Sequence, residues 1–315
     1  MAIRQKTKLG QYHIGDSIKL LSGNLGKKIE GSVNLILTSP PYLLNRKKKY
    51  GNLTEKEYLE WFISMAPIFS RLLTDDGSVV IELGNSWEPK RPVQSLLPLE
   101  SLMGFVKNEE AGFRLCQQFI CYNPSRLPSP APWVTQKRIR ATDSYTNVWW
   151  MSKSDFPKAD NSKVLRPYSK KQKQLQAKGS YNAGKRPSEH DISETGFLKD
   201  NGGSIAHNFF ELEVMDSSRD VRLPNSFAFS NTSSNDYYHR KCRDLGIIPH
   251  PARMPEGLAA FFIQMLTDEN DLVLDPFGGS NTTGYTAQTL GRRWISIEAQ
   301  EEYLKHSKIR FSQRR

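Results

Sequence analysis

Ser39, Pro40, Pro41 and Tyr42 stand directly behind an aliphatic run, Val33 to Leu37, in the segment SVNLILTSPPYLLNRKKKYG. Two proline rings lock φ, so a hydroxyl and an aromatic ring are presented from a stiffened backbone. Four consecutive cations follow: Arg46, Lys47, Lys48 and Lys49. Ser39 does not read as a hydrolase nucleophile. It lacks the G-x-S-x-G elbow, and prolines occupy the place of an oxyanion-hole amide. A second constellation lies far downstream, in LVLDPFGGSNTTG. A strand there delivers Asp275 and Pro276, Gly278 and Gly279 allow a turn close to a ligand, and Thr282 or Thr283 opens a helix. That is the logic of a nucleotide-type cofactor loop. The next strand ends in Glu298, where a carboxylate can bind two ribose hydroxyls. The plainer alternative is an ordinary strand-to-helix turn with a solvated Glu298.

The elements that must position these residues follow from local pattern. Val33 to Leu37 reads as a buried strand ending at Ser39. Thr54 and Glu57 form a capping-box pattern, after which Leu59, Phe62, Ile63, Ala66, Phe69 and Leu73 recur at helical spacing, with a kink expected at Pro67. Asp75–Gly77 is expected to turn, and SVVIELGN to form a second buried strand. GLAAFFIQML reads as an apolar helix, DLVLD as a strand, YTAQTLGRR as a helix ending at Gly291, and WISIE as a strand. Alternating helices and strands imply an α/β fold, a mostly parallel sheet with helices on both faces.

The middle of the chain differs. Between Phe156 and His190 there are nine Lys or Arg and two acidic residues. The aliphatic content of SKKQKQLQAKGSYNAGKRPSEH is too low for a core of its own, and order there is expected from a bound polyanion. The chain is 315 residues long with a net charge of +11, a balance that favours nucleic acid as partner. Cys116, Cys121 and Cys242 are an odd count without metal-type spacing, which points to reduced thiols, a cytoplasmic setting and no metal site. The opening segment lacks the apolar run of a signal peptide, and no stretch approaches the roughly 20 apolar residues of a spanning helix.

Taken together, the two constellations resemble the DNA amino-methyltransferases, which use S-adenosylmethionine to methylate an exocyclic amine of cytosine or adenine. The family's catalytic tetrapeptide is Asp, Asn or Ser, then Pro-Pro, then an aromatic residue, matched by Ser39-Pro40-Pro41-Tyr42. Its Phe-x-Gly-x-Gly loop is matched by Phe277-Gly278-Gly279-Ser280-Asn281, with Asn281 replacing the last glycine; Asn tolerates the left-handed backbone better than most residues. The catalytic motif precedes the cofactor motif, the order of the circularly permuted beta group. HIGDSIKLL with Asp16, and HPARMPEGLAAFFI, also look like that group.

The resemblance implies a permuted Rossmann-like fold. Residues 1–155 form its catalytic part, 156–240 a basic target-recognition insertion, and 241–315 its cofactor part. It implies that Asp16, Asp275, Pro276, Phe277, Gly279, Ser280, Asn281, Thr282 and Glu298 bind S-adenosylmethionine, with Asp16 reaching the adenine amine. It further implies that the Ser39 hydroxyl and Pro40 carbonyl accept hydrogen bonds from the target amine, that Pro41 stiffens them, and that Tyr42 stacks on a flipped-out base. Double-stranded DNA would be held by Arg46, Lys47, Lys48 and Lys49, and by Lys170, Lys171, Lys173, Lys185 and Arg186. His250 reads as structural.

Ser at the first motif position usually accompanies N4-cytosine methylation in this family, with the N6 amine of adenine as the alternative. Carbon-5 chemistry needs a thiolate after proline, and none of the three cysteines follows one. A protein or RNA methyltransferase, and a non-catalytic DNA-binding relative, are the competing classes. The first departs in motif order and the second does not need intact motifs. A cognate restriction endonuclease would be a functional rather than a physical partner. Monomer and homodimer both stay open.

Overall fold

The computed structural model describes residues 3–42, 53–213, 227–230, 237–250 and 253–312. The chain begins with strands β1 (Ile3–Lys6) and β2 (Gly10–Ile14), helices α1 (Ser17–Ser22) and α2 (Asn24–Ile29), and strand β3 (Val33–Thr38). It continues through α3 (Glu55–Leu72), β4 (Leu73–Gly84), α4 (Leu97–Val106), β5 (Arg114–Tyr122) and β6 (Tyr145–Ser152). The middle holds α5 (Lys170–Lys178), the short pair β7 (Gly184–Lys185) and β8 (Asp191–Ile192), then β9 (Phe209–Glu213) and β10 (Phe227–Ser230). The remainder is α6 (Tyr237–Asp244), α7 (Glu256–Leu266), β11 (Leu272–Asp275), α8 (Thr282–Thr289), β12 (Arg293–Glu298) and α9 (Leu304–Phe311).

Among the described residues, ten strands make one sheet in the order β1-β2-β12-β11-β3-β4-β6-β5-β9-β10. From β2 across to β4 all neighbours run parallel. The β4–β6, β5–β6 and β1–β2 pairs are antiparallel. Period-two alternation sends β3 to two cores. Ile36 packs with α1, α3 and α4 on one face, while Leu35 and Leu37 pack with α7 on the other. Strands buried on both faces read as continuous apolar runs, which is why β3 and β11 are visible in the sequence.

The helix after the Ser39–Tyr42 motif is fixed at its start by the expected capping box: Thr54 Oγ1 accepts from Glu57 N at 3.3 Å, and Thr54 N donates to Glu57 Oε2 at 2.7 Å. α3 runs from Glu55 to Leu72 without a break, with Pro67 inside it. The turn expected at Asp75–Gly77 is corrected. β4 begins immediately at Leu73, and the register jumps from Val33↔Leu73 to Leu35↔Ser78, so the three residues sit in a bulge within the strand.

The basic middle has local order of its own making. Ser169 caps α5 by accepting from Gln172 N, and Gly179 ends it in the left-handed region. Gln172 Nε2 donates to the Phe197 carbonyl at 2.7 Å, and the Tyr181 and Phe197 rings meet at 5.2 Å. α5 has no buried residue, in keeping with the low aliphatic content. The segment is also tied to the rest of the fold at both ends, to α7 and the loop after it on one side and to the sheet on the other. Asp160 N donates to the Met265 carbonyl at 2.8 Å, Lys158 pairs with Asp268 and Asp271, and β9 runs parallel to β5.

Candidate active site

β3 and β11 are parallel neighbours, so Ser39 and Asp275 leave the sheet side by side despite their distance in sequence. Thr38 Oγ1 donates to Asp275 Oδ1 at 2.7 Å, joining the two motifs directly. From β11 the chain passes through α8 to β12 on one side; from β3 it passes through α3 to β4 on the other. The crevice at such a divergence, beyond the carboxyl ends of the strands, is where open α/β sheets bind ligands. Here it is a cavity of about 380 Å3.

The glycine loop is shaped by side chains from several elements. Tyr12 of β2 donates to the Gly279 carbonyl at 2.7 Å, and Ser17 of α1 donates to the Pro276 carbonyl. Gly279 N donates to Glu298 Oε2 at 2.9 Å, and Gly278 N to the Ile297 carbonyl at 2.8 Å. Buried Arg310 of α9 donates from Nε to the Ser280 carbonyl at 2.9 Å, with its guanidinium over the Tyr238 ring. Gly279 has φ +48°, and a Cβ there would lie 3.1 Å from His250 Nε2. Asn281 has φ 62°, the left-handed conformation that the glycine replacement requires. Its amide is held by Ser296 and Ser307 at 2.6 and 2.9 Å.

Burial sets the local electrostatics. Asp275 is pushed up to about 6 by desolvation, which outweighs its bonds from Thr38, Thr283 and Phe277 N. Glu298 is raised for the same reason, against bonds from Gln300 and Gly279 N–H. On the Ser39–Tyr42 side of the cavity, the Ser39 and Tyr42 hydroxyls are 3.2 Å apart. Burial raises the Tyr42 hydroxyl, and the nearby Glu82 charge adds to it. Glu82 itself is buried, accepts from Thr146 Oγ1 at 3.0 Å and is pushed up to about 7 by desolvation.

Most of the residues singled out from sequence meet in the cavity wall: Asp16, Ser39, Pro40, Pro41, Tyr42, Asp275, Phe277, Gly279, Ser280, Thr282 and Glu298. Pro276 and Asn281 do not line it; both shape the loop from behind. Asp16 also caps α1 by accepting from Lys19 N at 2.9 Å. Arg46, Lys47, Lys48 and Lys49 lie outside the described residues. Lys170, Lys171, Lys173 and Lys185 are exposed on α5 and the β7–β8 pair, and Arg186 donates to the Asn182 carbonyl.

Several contributors had no motif to reveal them. Trp61 of α3 lines the cavity and meets Phe277 at 5.5 Å, and Tyr303 lines it with its ring 4.2 Å from that of His250, the residue read from sequence as structural, which also lies in the cavity wall. Tyr12, Ser17, Thr38 and Arg310 act across the sheet or between elements. Glu82 carried a signal, an acid inside the apolar run Val79 to Leu83.

Residues 33–309 match the model of a DNA methylase family. Type II methyltransferase M.PvuII of Proteus hauseri is 42% identical over 307 residues, 97% of this chain and 84% of that one. The solved PvuII DNA methyltransferase (cytosine-N4-specific) is similar with TM-score 0.72 and 36% identity, covering 98% of this chain and 90% of that one. A putative DNA modification methylase of Thermus thermophilus, complexed with S-adenosyl-L-methionine, shares the fold with TM-score 0.52 at 20% identity, covering 96% and 92%. A match that runs from β3 into α9, and so takes in both motifs that the sheet brings together, establishes that the chain belongs to the DNA methylase family.

Proposed function

We infer that the protein methylates the N4 amine of a cytosine in double-stranded DNA, using S-adenosylmethionine. The observation that carries this is the Thr38–Asp275 hydrogen bond, which places the Ser39–Tyr42 motif and the glycine loop in one cavity. Likeness along nearly the whole chain to an enzyme named cytosine-N4-specific selects cytosine over adenine.

The cavity fits the cofactor. Its glycine loop has no side chain where a Cβ would crowd His250, the Glu298 carboxylate lies beside that loop, and Trp61 and Phe277 offer apolar surface. Glu298 would take the ribose hydroxyls and Asp16 the adenine amine. When bound, S-adenosylmethionine supplies an electrophilic methyl on a sulfonium. The residues of this chain do the rest by position. An exocyclic amine is a poor nucleophile because its lone pair is delocalised into the ring. By accepting its N–H bonds, Ser39 Oγ and the Pro40 carbonyl favour a more tetrahedral nitrogen. The Ser39–Tyr42 contact suits this role: with the Ser39 proton turned toward Tyr42 Oη, both Ser39 lone pairs stay available. The Tyr42 face holds the extruded base, a contact of about 1–3 kcal/mol. The nitrogen needs no dedicated base, since its proton becomes acidic on alkylation. Arg46–Lys49 and the exposed cations of the 156–240 segment hold phosphates.

Incubating unmodified plasmid DNA with labelled S-adenosylmethionine, then digesting to nucleosides, tests this. N4-methylcytosine is expected. N6-methyladenine would overturn the choice of base, and no incorporation would overturn the activity.

A further inference from the structure

The excursion between β5 and β6, residues 123–144, belongs to neither motif, yet it is built at the edge of the catalytic pocket. Its base is closed by Asn123 N donating to the Ser144 carbonyl at 2.7 Å. A polar ladder fastens it to the end of β4: Asn85 Nδ2 donates to Asp143 Oδ1 at 2.8 Å, and Asn147 Nδ2 to Asn85 Oδ1 at 3.0 Å. That strand end adjoins Tyr42, whose ring lies 3.7 Å from where a Cβ of Gly84 would be. Inside the excursion, Arg126 Nη1 donates to the Tyr145 carbonyl at 3.0 Å, and its charge bears on both Tyr42 and Glu82. The residue after this anchored arginine is Leu127, 80% exposed. Pro124, Pro128, Pro130 and Pro132 surround it and restrict the backbone.

The rest of the excursion is strongly basic. Arg126, Lys137, Arg138 and Arg140 face a single acid, Asp143, and that acid is already used in the ladder. Lys137, Arg138 and Arg140 are exposed. A proline-rich basic segment with a bare apolar residue near its anchored base, close to the residue that stacks on an extruded base, matches what duplex opening requires. Apolar wedges enter base steps, and cations beside them hold the flanking phosphates. Scattered exposed leucines are common; this one is distinguished by following Arg126, which is anchored to the Tyr145 carbonyl and whose charge bears on Tyr42.

We propose that the 123–144 excursion is a DNA-engaging element in which Leu127 enters the base stack at the extruded cytosine, while Lys137 and Arg138 grip adjacent phosphates. This rests on the DNA methyltransferase reading above. A wedge lowers the cost of extrusion, so its loss matters when the target is firmly paired and little when pairing is already broken.

The test first maps the site that the wild-type protein methylates on plasmid DNA, then builds two short duplexes on it, one with the target cytosine paired and one with it mismatched. Leu127→Ala should bind cofactor as wild type does. It should methylate the paired duplex roughly ten- to thirtyfold more slowly and the mismatched duplex within about twofold of wild type. Equal loss on both duplexes, or no loss on either, would overturn the wedge. A wild-type protein inactive on all DNA would instead overturn the underlying activity. For the phosphate contacts, Lys137→Gln with Arg138→Gln should lower the slope of log affinity against log salt by about two; an unchanged slope would remove this element from the DNA footprint.

Discussion

The two walls of the pocket are held by different means. On the side proposed to hold the cofactor, Tyr12, Ser17, Glu298 and Arg310 reach in from β2, α1, β12 and α9 to fasten Pro276, Gly279 and Ser280 of one loop. On the side proposed to be catalytic, Ser39–Tyr42 carries its stiffness locally, in two proline rings and one short-range contact between hydroxyls. A loop that must wrap a flexible ligand is shaped by tertiary bonds. A tetrapeptide proposed to aim two acceptors at one nitrogen is preorganised locally. Damage should therefore spread differently from each wall: changes on the cofactor side should act on binding, and changes on the catalytic side on turnover.

Gly279→Leu should show the largest effect. A side chain at φ +48° is strained, and it must displace the His250 ring. Cofactor affinity should fall more than about a thousandfold while circular dichroism keeps the native spectrum. Wild-type affinity in titration calorimetry would break the placement of the loop. Ser39→Ala comes next. Turnover should drop roughly a hundred- to a thousandfold, with cofactor affinity level, because one preorganised acceptor is lost. Full turnover would remove Ser39 as the amine acceptor.

Tyr12→Phe deletes one tertiary fastening and leaves the buried Gly279 carbonyl without its donor. The cost is about 1–3 kcal/mol, which should appear as a cofactor KM raised about tenfold with kcat little changed. A fall confined to kcat would contradict the division between the walls. Tyr42→Phe should be mildest. It keeps the stacking face and loses only the contact to Ser39, so steady-state rates should stay within about threefold of wild type. A large kcat loss would mean that the Tyr42 hydroxyl, and not only the prolines, orients Ser39.

This difference also explains what was legible in the sequence. Pro40 and Pro41, the Thr54–Glu57 capping box, and the buried runs at Val33–Leu37 and Leu272–Leu274 are local devices, and each is found where the pattern puts it. The left-handed Asn281 was legible for the same reason. Tyr12, Ser17 and Arg310 were not, because a tyrosine, a serine and an arginine acquire meaning only when the sheet order brings them to the loop. Glu82 lay between, visible as an acid in an apolar strand but without a role until Tyr42 was seen beside it. The Asp75–Gly77 turn was misread because a bulge uses the same residues as a turn. The pairing of β9 with β5 had no local signature at all.

The adjacency of β3 and β11 has a consequence for how the molecule is made. β2 does not touch β3 in the sheet: β12 and β11 lie between them. As the chain emerges from the ribosome, its first strands leave a gap two strands wide, which stays open until the last strands have been synthesised. The inner edge of β3, rich in aliphatic side chains, meanwhile offers unpaired N–H and C=O groups to any other chain. Contacts this distant in sequence also close slowly. Truncation near α7 would thus leave more than an enzyme without a cofactor loop. It would leave an open sheet edge at the centre of the fold, and the shortened chain should aggregate.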